Sequence, residues 1–249
     1  MRGADMRKAV IWAMGLSLLM VSGPGGAAEA GDLPPARAGQ LPPAAAQAAL
    51  GRARPAAGEM AQILPLVKEL DGRDLSQWAV AWWRWLMSAP DNRDIMADDT
   101  GELCDLGQSG PVWFLAGSYE DAPVSRHCAA PAGKYIFVPA AEMMLWDSAD
   151  GRDCSLLQND VKTVMDTARN VFIEVDGQRQ ELAAAWRAAP KTCFTLPTET
   201  DIYATDGYWL LLRPLAKGQH IIRFGNKIGD DGKTAEDSAQ NIAYYLNVE

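Results

Sequence analysis

Apolar positions along the chain follow two different periods, and the change between them organises the sequence. Over "LSQWAVAWWRWLMS", residues 75–88, they recur at helical spacing. At about 100° per residue, Trp85, Trp78, Trp82, Leu75 and Leu86 share one face, with Arg84, Gln77 and Ser88 opposite. Asp74, with Gln77 three residues later, supplies a capping-box start, and Pro90 requires the helix to end before it. The pattern then shifts to short extended runs: "PVWFLAGS", "KYIFVPA", "VFIEV", "YWLLLRPL", "HIIRFG" and "NIAYYLNV". These are rich in β-branched and aromatic residues and are punctuated by Asp176-Gly177 and Lys217-Gly218. One further helix is expected in "LLQNDVKTVMDTARN", where Leu157, Val161, Val164, Met165 and Ala168 keep helical spacing. The order predicts a mainly β fold. Its simplest form is an antiparallel β-sandwich, immunoglobulin-like or jelly-roll, with an N-terminal Trp-rich helix and one further helix.

The start of the chain departs from both periods. Arg2, Arg7 and Lys8 precede the apolar run "AVIWAMGLSLLMV", and small residues follow up to Ala28-Glu29-Ala30. This is the order of a secretory signal peptide, residues 1–30, with cleavage near Ala28 or Ala30. The run is shorter than the roughly 20 residues needed to cross a bilayer, so no membrane span is expected in the mature form. Residues 31–60, dominated by Ala, Pro and Gly, have too little large apolar surface to offset the entropy of ordering and read as a disordered spacer. Residues 61–249 remain as a single globular domain.

Charge and cysteines narrow the setting. The net charge of −9 becomes −10 without residues 1–30, which carry three basic and two acidic groups. With no basic run, nucleic acid is not an expected partner. Cys104, Cys128, Cys154 and Cys193 all lie in the exported part. Two disulfides are the expectation in an oxidising compartment, periplasmic or extracellular. Pairing of sequence neighbours, Cys104 with Cys128 and Cys154 with Cys193, is preferred because it needs no crossed connections. A zinc site lacks both a C-x-x-C pair and sufficient histidines.

The succession "WAVAWWRWLMSAP", "GQSGPVWFLAGS", "CAAPAGKYIFVPA", "GYWLLLRPLAKGQHIIRFG" and "IAYYLNV" resembles an uncharacterised group of exported bacterial proteins, over most of residues 74–249. The resemblance carries no activity and no site residues. The segment around "PLAKGQH" is also similar to the closing hairpins of immunoglobulin-like and fibronectin-like modules, which implies a sandwich and says nothing of chemistry.

Candidate chemistry is sparse. The indoles of Trp78, Trp82 and Trp85 read as core, and Trp83, rotated to the flank, is the ring expected at the surface. "GQSGP" is one residue short of a serine-nucleophile elbow and precedes a strand, so Ser109 reads as a turn residue. His127 and His220 are the only histidines. "AEMMLWDSADGRDC" reads as an acidic loop after a strand, with Trp146 as a ligand anchor beside Glu142 and Asp147; a secreted hydrolase would use that carboxylate pair. No cofactor is expected, although "DNRDIMADDTGELCD" and "GDDGKTAED" are oxygen-rich loops in which a structural calcium ion is a candidate. The leading expectation is a non-enzymatic module that binds an envelope or extracellular component, a glycan or a protein, through Trp83, Trp146, Glu142 and Asp147. A structural cell-surface assembly unit is the third reading.

Overall fold

Capping chemistry starts the first helix where the sequence places it. The computed structural model describes residues 69–90, 92–147, 153–197, 200–229 and 238–249, which fall within one compact unit. The signal-peptide and spacer assignments, residues 1–60, lie outside the described residues. Helix α1 (Leu75–Leu86) opens on a reciprocal cap: Gln77 N–H donates to Asp74 Oδ1 at 2.9 Å, and Asp74 N–H donates to Gln77 Oε1 at 3.0 Å. Helix α2 (Cys154–Met165) is capped by Asp153, whose carboxylate accepts from Leu156 N–H.

Among the described residues ten strands run in chain order: β1 (Val112–Phe114), β2 (Val124–Ala130), β3 (Tyr135–Trp146), β4 (Arg169–Val175), β5 (Gln178–Glu181), β6 (Arg187–Ala188), β7 (Phe194–Thr195), β8 (Ile202–Leu212), β9 (Gly218–Ile228) and β10 (Ser238–Val248). They form two five-stranded sheets. The first runs β1-β3-β8-β6 with β7 also on β8, and the second runs β2-β10-β9-β4-β5. Strand alternation divides the apolar residues of the first sheet. Ile136, Val138, Leu210 and Leu212 meet Ile173, Ile222, Phe224 and Ile242 of the second sheet in one core. Phe137, Trp209 and Leu211 meet the indoles of α1 in another. Coverage on both faces explains why "YWLLL" reads as a continuous apolar run rather than an alternating one.

Among the described residues the fold is mainly β with two α-helices, as the periodicity predicts, but three expectations are corrected. The sheets are not wholly antiparallel: β1 pairs in parallel with β3, and β2 with β10. The segment around Lys217-Gly218 does not close a hairpin, because β8 belongs to the first sheet and β9 to the second. The other expected turn, Asp176-Gly177, does close a hairpin: between β4 and β5, Asp176 (φ 51°) and Gly177 (φ 82°) both adopt the left-handed conformation of a two-residue turn. Finally, β3 does not end at Ala140. After a register shift between Pro139 and Ala141 it continues against β8 to Trp146, so Glu142 sits inside a strand instead of a loop.

Both expected disulfides are present, Cys104–Cys128 and Cys154–Cys193, with Cα separations of 5.9 and 5.7 Å. The first ties the 98–106 segment to edge strand β2; the second ties the start of α2 to the segment before β7. No described helix is long and apolar enough to cross a membrane.

Candidate functional site

The four indoles of α1 are structural. Each ring nitrogen donates inward: Trp78 to Leu70 O, Trp82 to Leu115 O, Trp83 to Thr205 Oγ1 and Trp85 to Leu106 O. Trp83, expected at the surface, is only 3% exposed. The single-helix wheel omits β8, whose Thr205 meets that flank and supplies the acceptor a buried indole needs. Trp146 is half-buried and lies against Tyr203, with ring centroids 6.3 Å apart.

Glu142 and Asp147 do not make a working pair. The ladder is regular from Ala141 to Trp146, and Asp147 N–H extends it by donating to Ile202 O. Residues an odd number of positions apart on such a strand face opposite sides, and five steps span about 16 Å. Hydrolysis by paired carboxyls needs them facing one cleft at roughly 5–10 Å. Glu142 is instead buried at the contact between sheets, where Gln240 Nε2 lies 3.5 Å from its Oε1, and burial pushes its carboxyl up to about 8.

The remaining polar candidates are absorbed by local structure. His127 is exposed and stacked on Tyr245 at 4.8 Å between ring centroids. His220 bridges Asp176 Oδ2 and Ala216 O, both at 2.8 Å. Strand parity sets the two histidines on opposite faces of the second sheet. Ser109 lies in the exposed turn before β1, which the Gln108 amide closes through Cys104 O, Phe114 O and Phe114 N–H. In the acidic segment before Cys104, Asp98 spends both oxygens on its own loop, accepting from Thr100, Gly101 and Leu103 N–H. Burial works against its charge, but those N–H donors prevail and hold the carboxyl below its usual range. Asp94 likewise accepts from Met96 and Ala97 N–H. Most of the second oxygen-rich loop, residues 230–237, lies outside the described residues.

Two features were not anticipated from sequence. The first is Arg126 on β2, 1% exposed, whose guanidinium donates to the carbonyls of Met96, Asp98, Ala116 and Gly117 and to Tyr244 Oη. It pins two loops onto the second sheet using backbone oxygens. An alternating strand with arginine at an inward position gives no apolar signal, which is why β2 is silent in the sequence.

The second is an open groove of about 1570 Å³ between the polar face of α1 and the segment 185–195. Charged side chains along it are Glu69, Arg73, Asp74, Arg84, Arg187 and Lys191. Arg187 is turned away, held bidentate by Asp206 at 2.8 and 2.6 Å and by Asp166 at 2.7 Å. Asp74 is committed to capping α1, and hydrogen bonds from Ser76 and Gln77 outweigh its burial, lowering its pKa. Arg73 sits over the Trp78 ring at 5.0 Å, and Arg84 donates through Nε and Nη2 to Thr195 O. Ser76, Gln77 and Thr192 add neutral hydrogen-bonding groups. Ile202, whose carbonyl receives Asp147 N–H, also lines the groove. The sequence signal for this groove is the polar side of the α1 wheel, Gln77 and Arg84, which otherwise reads as a solvated face.

Comparison with known proteins adds little to this geometry. No family model matches the chain, and no curated protein matches it. Among solved structures the chain is similar to the one described as the solution structure of Amebosin, at 8% identity over 50% of this chain and 96% of that one. The TM-score of 0.17 is too low to bear on fold or function.

Proposed function

We propose that the protein is an exported, non-catalytic β-sandwich that binds an envelope or extracellular component, a glycan or a protein, along the groove beside α1. The observation that carries this reading is the grouping of Arg73, Arg84 and Lys191 in one open groove of a chain whose net charge is −9. These three cations outnumber the groove's carboxylates, Glu69 and the cap-bound Asp74, and an excess of one sign in a concave surface raises the local concentration of oppositely charged ligands. With Ser76, Gln77 and Thr192 alongside, the lining suits an extended polar chain bearing carboxylates better than a flat apolar molecule. Two disulfides and a signal-type N-terminus support export, and the separated carboxylates Glu142 and Asp147 remove the main argument for a hydrolase. The immunoglobulin-like or jelly-roll assignment remains part of this proposal; two sheets around one core are consistent with either.

Binding of the chain to defined acidic oligosaccharides, with neutral oligosaccharides and acidic peptides alongside, tests the reading. Affinity for an acidic ligand that falls with salt and is lost in the double variant Arg84→Glu/Lys191→Glu is the expected result. Equal affinity of wild type and double variant, or no binding in any class, overturns it.

A further inference from the structure

We infer that the outer edge of β5 is a self-association surface, on which a second copy of this chain lays its own β5 antiparallel and joins the two second sheets into one. Hairpin parity decides which backbone groups are available. Val175 and Gln178 flank the two-residue turn, and Leu182 N–H donates to Val171 O at 2.8 Å. The residues bonded to β4 are therefore Gln178, Gln180 and Leu182, and the N–H and C=O groups of Arg179 and Glu181 point away from it. No described residue takes up those outward groups, and all four residues of β5 are exposed.

The other sheet edges are blocked or very short. On β1 the Gln108 amide donates to Phe114 O and accepts from Phe114 N–H. On β2 His127 N–H donates to Thr100 O at 2.8 Å, and a Cβ at Gly101 would come within 2.6 Å of His127 O. The Cys104–Cys128 disulfide fastens that same loop to the strand. The far edge of the first sheet consists of the two-residue strands β6 and β7, and Arg84 donates to Thr195 O of β7. A fold that guards its other edges and leaves one open directs pairing to the open one.

Charge selects the partner. In an antiparallel pair outward groups meet outward groups, so two copies of β5 related by a two-fold axis can set Arg179 against Arg179, Glu181 against Glu181, or Arg179 against Glu181. The first two oppose like charges. Only the third, with the axis at Gln180, sets opposite charges face to face, and it does so on both sides of the axis. The side chains are already held for it: Arg179 Nη2 lies 2.8 Å from its own Glu181 Oε1, and the guanidinium sits over the Phe172 ring at 3.5 Å. Pairing places each carboxylate between its own arginine and the partner's Arg179. Charges on an edge strand ordinarily repel other strands; here they reject the misaligned registers and admit one.

The contact is short, so association should be weak, and the test is sedimentation of the full chain up to about 1 mM, where a millimolar Kd becomes visible. The wild-type average mass should rise towards that of a dimer with concentration, and less so at high salt. Arg179→Glu should weaken association about tenfold or more, and the double swap Arg179→Glu/Glu181→Arg should restore it. Glu181→Pro removes an outward donor, keeps the ladder to β4, and should leave a monomer. A wild type monomeric throughout overturns the inference, as does association unchanged by Arg179→Glu and Glu181→Pro; a double swap as weak as the single variant overturns the register. If the variants do not fold, amide exchange of wild type decides. Protection of the Arg179 and Glu181 N–H groups that grows with concentration supports the surface, and exchange independent of concentration overturns it.

Discussion

The indole N–H of Trp83 donates to the hydroxyl of Thr205 at 2.8 Å, joining the first helix to a strand 122 residues later in the chain. The Thr205 hydroxyl in turn donates to Met143 O at 2.7 Å, so one side chain fixes α1, β8 and β3 together. Thr205→Val keeps the shape and removes the acceptor, leaving a buried N–H without a partner. It should cost about 1–3 kcal/mol in denaturant unfolding, with an unchanged m-value. A loss below a few tenths would mean that Trp83 has another acceptor.

Arg126 makes a stronger prediction. Replacement by Met fills much of the volume but removes the guanidinium donors from four carbonyls, three of them buried. The expected destabilisation is about 4 kcal/mol or more, with early proteolysis in the 96–106 segment that the guanidinium holds. Arg126→Lys should recover only part of it, since one ammonium has three donors in place of five.

The disulfides span sequence separations of 24 and 39 residues. Loop-closure entropy assigns each about 3–4 kcal/mol. Peptide mapping without reduction should recover 104–128 and 154–193 linkages, and the Cys154→Ser/Cys193→Ser double variant should lose stability on that scale.

Glu142 sets a pH dependence with a definite sign. Its carboxyl is raised in the folded state, from 4.5 to about 8, by burial. Between those values the folded chain holds a proton that the unfolded chain releases, so stability is full below about pH 4.5 and falls as pH rises towards 8. Comparison with Glu142→Gln isolates the effect. The variant should gain on wild type steadily as pH rises across that interval. A difference independent of pH would show that Glu142 is ionised throughout.

What the sequence revealed depended on whether local pattern or distant contact decides a residue's place. The capping box at Asp74, the spacing of Leu157, Val161 and Met165, and the neighbour pairing of cysteines are local, and each leads to the structure described. Trp83 was misplaced because its partner, Thr205, is remote in sequence. Glu142 was misplaced because the bulge after Pro139 carries β3 onward through a stretch whose acidic residues resemble a loop. β2 was missed because Arg126 occupies an inward position normally held by an apolar residue. The groove was missed because Lys191 joins Arg73 and Arg84 only through the tertiary fold.

Backbone amide shifts of isotope-labelled protein, followed while an acidic oligosaccharide is titrated at low salt, test the binding proposal most directly. Perturbations should concentrate in residues 73–84 and 187–195 and diminish when salt is added. Shifts that cluster instead on the outer face of the second sheet, around His127 and Tyr245, or no shifts at all, would contradict it.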